Sequence, residues 1–122
     1  MDVGYTILLC TTLLALNGDT ITCDGIAMRI LGDERPLTSK IEAPRTSKAR
    51  CLAEAKLGAA AQARLSQLLS EATSIEDSGV RDAGARPLVR VRLADGRSAG
   101  SVLISEGLAG VRTLTYVPQW CK

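Results

Sequence analysis

Histidine and phenylalanine are absent from this chain, and aromatic residues amount to 2% of it: Tyr5, Tyr116 and Trp120. Without histidine, no Ser-His-Asp triad, imidazole acid/base pair or mixed Cys/His zinc site can be built. Any acid, base or metal ligand must be a carboxylate, thiol, amine or tyrosine. Cys10, Cys23, Cys51 and Cys121 contain no CxxC pair, which argues against a zinc knuckle or a thioredoxin-like motif. The longest apolar run, residues 7–16, has about half of the roughly 20 residues a membrane-spanning helix needs, so no membrane partner is expected. Fifteen Lys and Arg against 13 Asp and Glu leave a net charge of +2, and attraction to nucleic acid would have to come from local clusters.

What is present suits one domain over residues 1–122: 46% of the residues are hydrophobic and 23% charged. Cys51 and Cys121 lie outside the hydrophobic runs and are the better candidates for a disulfide, which would imply an oxidising compartment. Cys10 and Cys23 lie inside strand-like segments and read as buried thiols. A secretory signal would occupy residues 1–16, but no Lys or Arg precedes the apolar stretch and Asp2 has the opposite sign. Residues 7–16 therefore read as the first buried strand, and the compartment stays open.

The Asn17-Gly18 and Asp24-Gly25 signals predict a three-stranded meander over 7–16, 19–23 and 26–31. Residues 32–50 lose periodicity and carry Pro36 and Pro44, predicting a long polar loop of the kind that carries function. Leu57, Ala61, Leu65, Leu68 and Leu69 recur at helical spacing and predict an amphipathic helix over 51–69. Further strands are expected over 72–77 and 88–93, the latter alternating apolar residues with Arg90 and Arg92, and separated from the former by a loop over 78–87. A short helix over 98–106 would stop at Gly107, and a final strand or extended tail covers 111–117. No internal repeat is present.

The order of five motifs carries a resemblance: Asn17-Gly18-Asp19-Thr20-Ile21, Met28-Arg29-Ile30-Leu31-Gly32, Cys51-Leu52-Ala53-Glu54 opening a helix, Asp82 followed by Gly84 and Arg86, and Glu106-Gly107-Leu108-Ala109. Together they resemble the thermonuclease family, the staphylococcal-nuclease-like domains, over nearly the whole chain, including the closing Trp120-Cys121. The resemblance implies a mainly β, α+β fold: an OB-type five-stranded β-barrel with one long and one short helix. The chain stops at Lys122, so the final helix of longer members is expected to be absent.

In such enzymes acidic residues hold a calcium ion on a phosphodiester oxygen, a glutamate helps water attack phosphorus, and two arginines neutralise the phosphate. Calcium suits this role because it accepts oxygen ligands in flexible geometry, and cationic clamps stabilise the charge that develops. By this resemblance Asp19 is a metal ligand, although as a bare sequence it reads as a turn residue. Asn17 stands where the family has a further aspartate. Arg29 and Arg86 match the two phosphate-contacting arginines, their bland readings being an outward-facing strand residue and a solvated loop arginine.

Within the expected active-site loop, residues 32–50, two alignments compete. One places Glu34 at the second metal ligand and Leu37 at the base; the other, preferred because Ile41 and Ala43 also match, places Glu42 at the ligand and Arg45 at the base. Either way the base glutamate is absent, and general-base assistance is typically worth about 10²- to 10⁴-fold. Glu34 could substitute only by swinging in from the loop, and Glu54 reads as a structural residue at the helix start.

Three functions compete. The first is calcium-dependent phosphodiester hydrolysis of DNA or RNA, single strands favoured, by a monomer with reduced or lost activity, secreted or in the cell envelope as in the family. The second is a non-catalytic OB-fold module binding nucleic acid or protein, for which three aromatics offer few bases a stacking surface. The third is a protein-interaction scaffold, against which Lys40, Arg45, Lys48, Arg50, Arg90 and Arg92 count mildly.

Overall fold

The computed structural model describes residues 4–36 and 39–121. In chain order the elements are β1 (Thr6–Leu8), β2 (Leu13–Ala15), β3 (Thr20–Cys23), β4 (Ile26–Ile30), β5 (Lys40–Glu42), α1 (Leu52–Ser70), β6 (Ala72–Arg81), β7 (Pro87–Leu93), α2 (Ala99–Ser105) and β8 (Gly110–Arg112). Among the described residues, six strands form one sheet in the order β1-β6-β7-β4-β3-β2, while β5 and β8 make a separate antiparallel ribbon. Neighbours in the large sheet are antiparallel except β4 and β7, which run parallel.

Strands β1 and β2 are the two edges of this sheet, yet only residues 9–12 join them. The five steps from Leu8 to Leu13 reach about 17 Å at most, whereas a flat six-stranded sheet would hold its edges about 24 Å apart. The sheet is therefore curled into a half-barrel. The fold is mixed α+β and mainly strands, as expected. Against the expected five strands, the described residues form six in the sheet and two in the ribbon.

The single first strand expected over 7–16 is two strands on opposite edges, and Cys10 in the connection is disulfide-bonded to Cys23 of β3. The reading of Cys10 and Cys23 as thiols is corrected by this bond, which staples the connection to the sheet. Cys51 and Cys121 form a second disulfide across 70 residues, as expected. Two disulfides are compatible with an extracellular protein. Among the described residues no helix is long and apolar enough to cross a membrane.

The two turn signals work differently. Asp24 and Gly25 both have positive φ, 51° and 85°, as a two-residue I′ hairpin turn requires. Gly18 is not left-handed; it is there for close approach, since a Cβ on it would lie 2.6 Å from the Ala61 Cβ and 2.7 Å from the Ala43 Cβ. The Asn17-Gly18 bend is thus packed under α1, not displayed as a hairpin tip.

Helix α1 begins where the Cys51 Sγ accepts from the Glu54 N–H and buries Ala61, Leu65, Leu68 and Leu69 on one face. Leu65, Leu68 and Leu69 join Ile21, Met28 and Ile30 from the meander, Val89 and Val91 from β7, and Leu103 from α2 in one core. Alternation then sends Arg29, between buried Met28 and Ile30, to the opposite face of β4. Strand β6 extends to Arg81, which shortens the expected 78–87 loop to a turn over 82–86; the expected 32–50 loop contains β5, and of the expected final strand over 111–117 only 111 and 112 pair, as part of β8.

Candidate functional site

Asp19 and Arg29 face each other across the start of the β3–β4 pair, where Thr20 is level with Arg29. Asp19 Oδ1 accepts from the Thr20 hydroxyl at 2.8 Å, and Oδ2 accepts from the Ala43 N–H at 2.9 Å. Arg29 Nη2 lies 3.6 Å from that same Oδ2 and donates to the Ile41 carbonyl at 2.6 Å. Both side chains are mostly buried, 13% and 14% exposed. Arg29 Nε is buried with no acceptor among the described residues. A buried cationic donor left open in this way marks a place for an anion or a water.

Residues 41–43 are thereby drawn to Asp19 and Arg29, and Glu42 comes with them on β5. Its Oε1 accepts from Arg112 Nη1 at 3.1 Å across the β5–β8 ribbon. Beside this pair lies a cleft of about 540 Å³ between the ribbon and the β6–β7 turn, with Lys40, Arg81 and Arg112 as cations and Leu88, Leu114 and Val117 as apolar walls. Leu88 is level with Arg29 across the β4–β7 pairing, so Arg29 and the cleft share a face of the sheet.

Arg86 ends the turn before β7, two residues before Leu88. Its Nε donates to Asp82 Oδ2 at 2.9 Å and its N–H to Asp82 Oδ1 at 2.9 Å. Burial raises the Asp82 carboxyl, but the Arg86 N–H and guanidinium outweigh it and hold the group below its ordinary value. Arg86 is 38% exposed and its terminal nitrogens have no acceptor among the described residues. It is a half-solvated arginine aimed by Asp82.

Most of the remaining candidate acids and arginines are committed to the fold. Both Glu34 carboxylate oxygens accept from the Gly32 N–H at 3.0 Å, which holds Glu34 locally. Leu37 lies outside the described residues. The Arg45 side chain is exposed while its N–H donates to Glu54. Glu54, fully buried, also accepts from the Arg50 N–H and guanidinium, and these bonds, led by the guanidinium, hold its carboxyl at about 2. Its expected structural role agrees with this. Arg90 and Arg92, counted as basic surface from the sequence, are engaged by the fold: Arg90 is buried, donates to the Gly32 and Glu34 carbonyls and lies 4.8 Å from the Tyr5 ring, while Arg92 is half-buried and pairs with Glu76.

Sequence reasoning missed Arg112 and Asp82 as site residues. Arg112 carries only a weak local signal, a charge next to Val111 in an expected strand, and its partner is 70 residues away.

Calcium takes 6–8 oxygen ligands at 2.3–2.6 Å. Here the two expected carboxylates already accept protein donors, and each faces a guanidinium: Asp19 that of Arg29, Glu42 that of Arg112. Among the described residues no three His, Cys, Asp or Glu side chains gather as a metal-ligand group. The residues as arranged do not fit a calcium ion. What they offer is five cations, Arg29, Lys40, Arg81, Arg86 and Arg112, in and around the cleft, three of them with acidic neighbours that limit the local field. No family model and no curated protein matches this chain.

Proposed function

We propose that this chain is a thermonuclease-type, OB-like domain that holds the phosphodiester backbone of single-stranded DNA or RNA, with hydrolysis greatly reduced or lost. The observation that carries the reading is the buried Arg29, whose Nε lacks an acceptor among the described residues and whose one carboxylate neighbour is 3.6 Å away. A phosphate oxygen that meets the 14% of this side chain still exposed gains a charge-assisted bond to the guanidinium. Arg86, half-exposed and oriented by Asp82, adds a second cation on the same side.

The loss of hydrolysis follows from the base position. Both alignments put a non-basic group there, Leu37 or the cationic Arg45, so a water has no carboxylate to take its proton. Calcium is the cation the resemblance implies, with Asp19 and Glu42 as its ligands, and the arrangement of those side chains argues against its use. An oxidising compartment, secreted or cell-envelope, and a monomeric state complete the reading.

The test incubates the oxidised protein with labelled single-stranded DNA and RNA at mildly alkaline pH, with calcium or with a chelator, reading binding and cleavage together. The expected result is binding that weakens with salt, as phosphate contacts do, with little or no cleavage. Calcium-dependent cleavage that Asp19→Ala abolishes would overturn the loss of hydrolysis and restore the nuclease. A folded protein that neither binds nor cleaves would leave the protein-interaction scaffold.

A further inference from the structure

We infer that Arg112 stands where a metal ion would bridge carboxylate and phosphate, so that this site binds its anionic ligand without any divalent cation. The inference rests on the phosphodiester-binding reading above and specifies its electrostatics.

A bridging cation must neutralise the protein carboxylate and still present positive charge to the ligand. Arg112 meets both requirements. It sits on β8 level with Lys40, diagonal to Glu42, and contacts the Glu42 Oε1 through Nη1 alone at 3.1 Å. Its other N–H groups have no acceptor among the described residues, and the side chain lines the cleft, 49% exposed. A guanidinium has five donors in a planar fork, enough to pair with a carboxylate on one edge and a phosphate on the other. The resulting series is carboxylate, guanidinium, phosphate, which has the same alternation of charge as carboxylate, metal, phosphate. Lys40 beside it adds a second positive charge. A divalent ion brought to Glu42 would have to displace Arg112 and then sit beside Arg112 and Lys40, where like charge opposes it.

The test is fluorescence anisotropy of a labelled short single-stranded DNA, with chelator and with calcium, on the oxidised protein. Affinity is expected to agree within about twofold between the two conditions. In chelator, Arg112→Gln is expected to weaken binding about tenfold, the size of one charge-assisted hydrogen bond, and Glu42→Gln to strengthen it by freeing the guanidinium. Circular dichroism checks that both variants fold, and the calcium comparison on the unaltered protein stands without them. Binding that requires calcium, or an Arg112→Gln protein that binds as well as the unaltered one, would overturn the role of Arg112 while leaving phosphodiester binding intact. Absence of binding in every condition would remove the underlying reading and the inference with it.

Discussion

Asp19 accepts the backbone N–H of Ala43, 24 residues further along, at 2.9 Å. With the Arg29 bond to the Ile41 carbonyl, it makes a two-point clasp between the β3–β4 hairpin and the β5 ribbon. Asp19→Ala would leave the partly buried Ala43 N–H without its acceptor and remove the carboxylate 3.6 Å from the Arg29 guanidinium, which keeps its bond to the Ile41 carbonyl. One unsatisfied group of this kind costs about 1–3 kcal/mol, so a loss of about 2 kcal/mol is expected in urea denaturation. A change near zero would mean that the β5–β8 pairing alone holds the ribbon.

Glu54 makes acid sensitivity predictable in sign. Its folded value, about 2, lies below the ordinary 4.5, so its contribution to stability is complete above about 4.5 and is lost as pH falls toward 2. Glu76, held low by the Arg92 guanidinium, acts in the same direction. Glu54→Gln is therefore expected to lower stability at neutral pH and to flatten, without abolishing, the decline between pH 4.5 and 2. Thermal melts across that range check it. A variant whose melting temperature falls as steeply as the unaltered protein would contradict this account.

The two disulfides close loops of very different length, 13 and 70 residues apart. Chain entropy makes the longer crosslink worth about 4 kcal/mol and the shorter about 3 kcal/mol. Replacing Cys51 and Cys121 together should thus lower the melting temperature more than replacing Cys10 and Cys23. Cys51 also caps α1, which adds to the difference. The reverse order in calorimetry would show that stapling the β1–β2 connection outweighs loop length.

Gly58 reverses a general preference. In a helix interior alanine is favoured over glycine by about 1 kcal/mol, yet a Cβ at Gly58 would lie 2.5 Å from the Arg45 carbonyl oxygen and 3.0 Å from the Thr46 nitrogen. Backbone cannot yield as a flexible side chain does, and overpacking costs about 1–3 kcal/mol. Gly58→Ala is expected to be net destabilising by urea denaturation and to shift the amide resonances of residues 45 and 46. Stabilisation would show that the 45–50 segment moves freely.

Much of this architecture was legible residue by residue. The Asp24-Gly25 turn and the helical spacing from Leu57 to Leu69 are local signals, set by backbone sterics and by the 3.6-residue period, and both elements form where expected. Asp19 and Arg29 were legible as a pair only through a motif order that resembles a known family, and their contact with residues 41–43 was not. Strand 7–16 was misread because a continuous apolar run does not say where a curled sheet must be crossed. Cys10 was misread with it, since the nearness of Cys23 depends on that crossing.

Composition by itself determined which chemistries are absent, because no fold can supply an imidazole the chain does not contain. Periodicity and turn residues determined most of the elements, because these are short-range effects. Which charges are free was decided only by the tertiary structure. Arg90 and Arg92 look like surface, yet Arg90 is buried and Arg92 is held by Glu76, while Arg112 is drawn to Glu42 by the pairing of β5 with β8. The reason is physical: an ion pair depends on distance in space, and partners 70 residues apart in the chain meet only once the sheet has curled and the ribbon has formed.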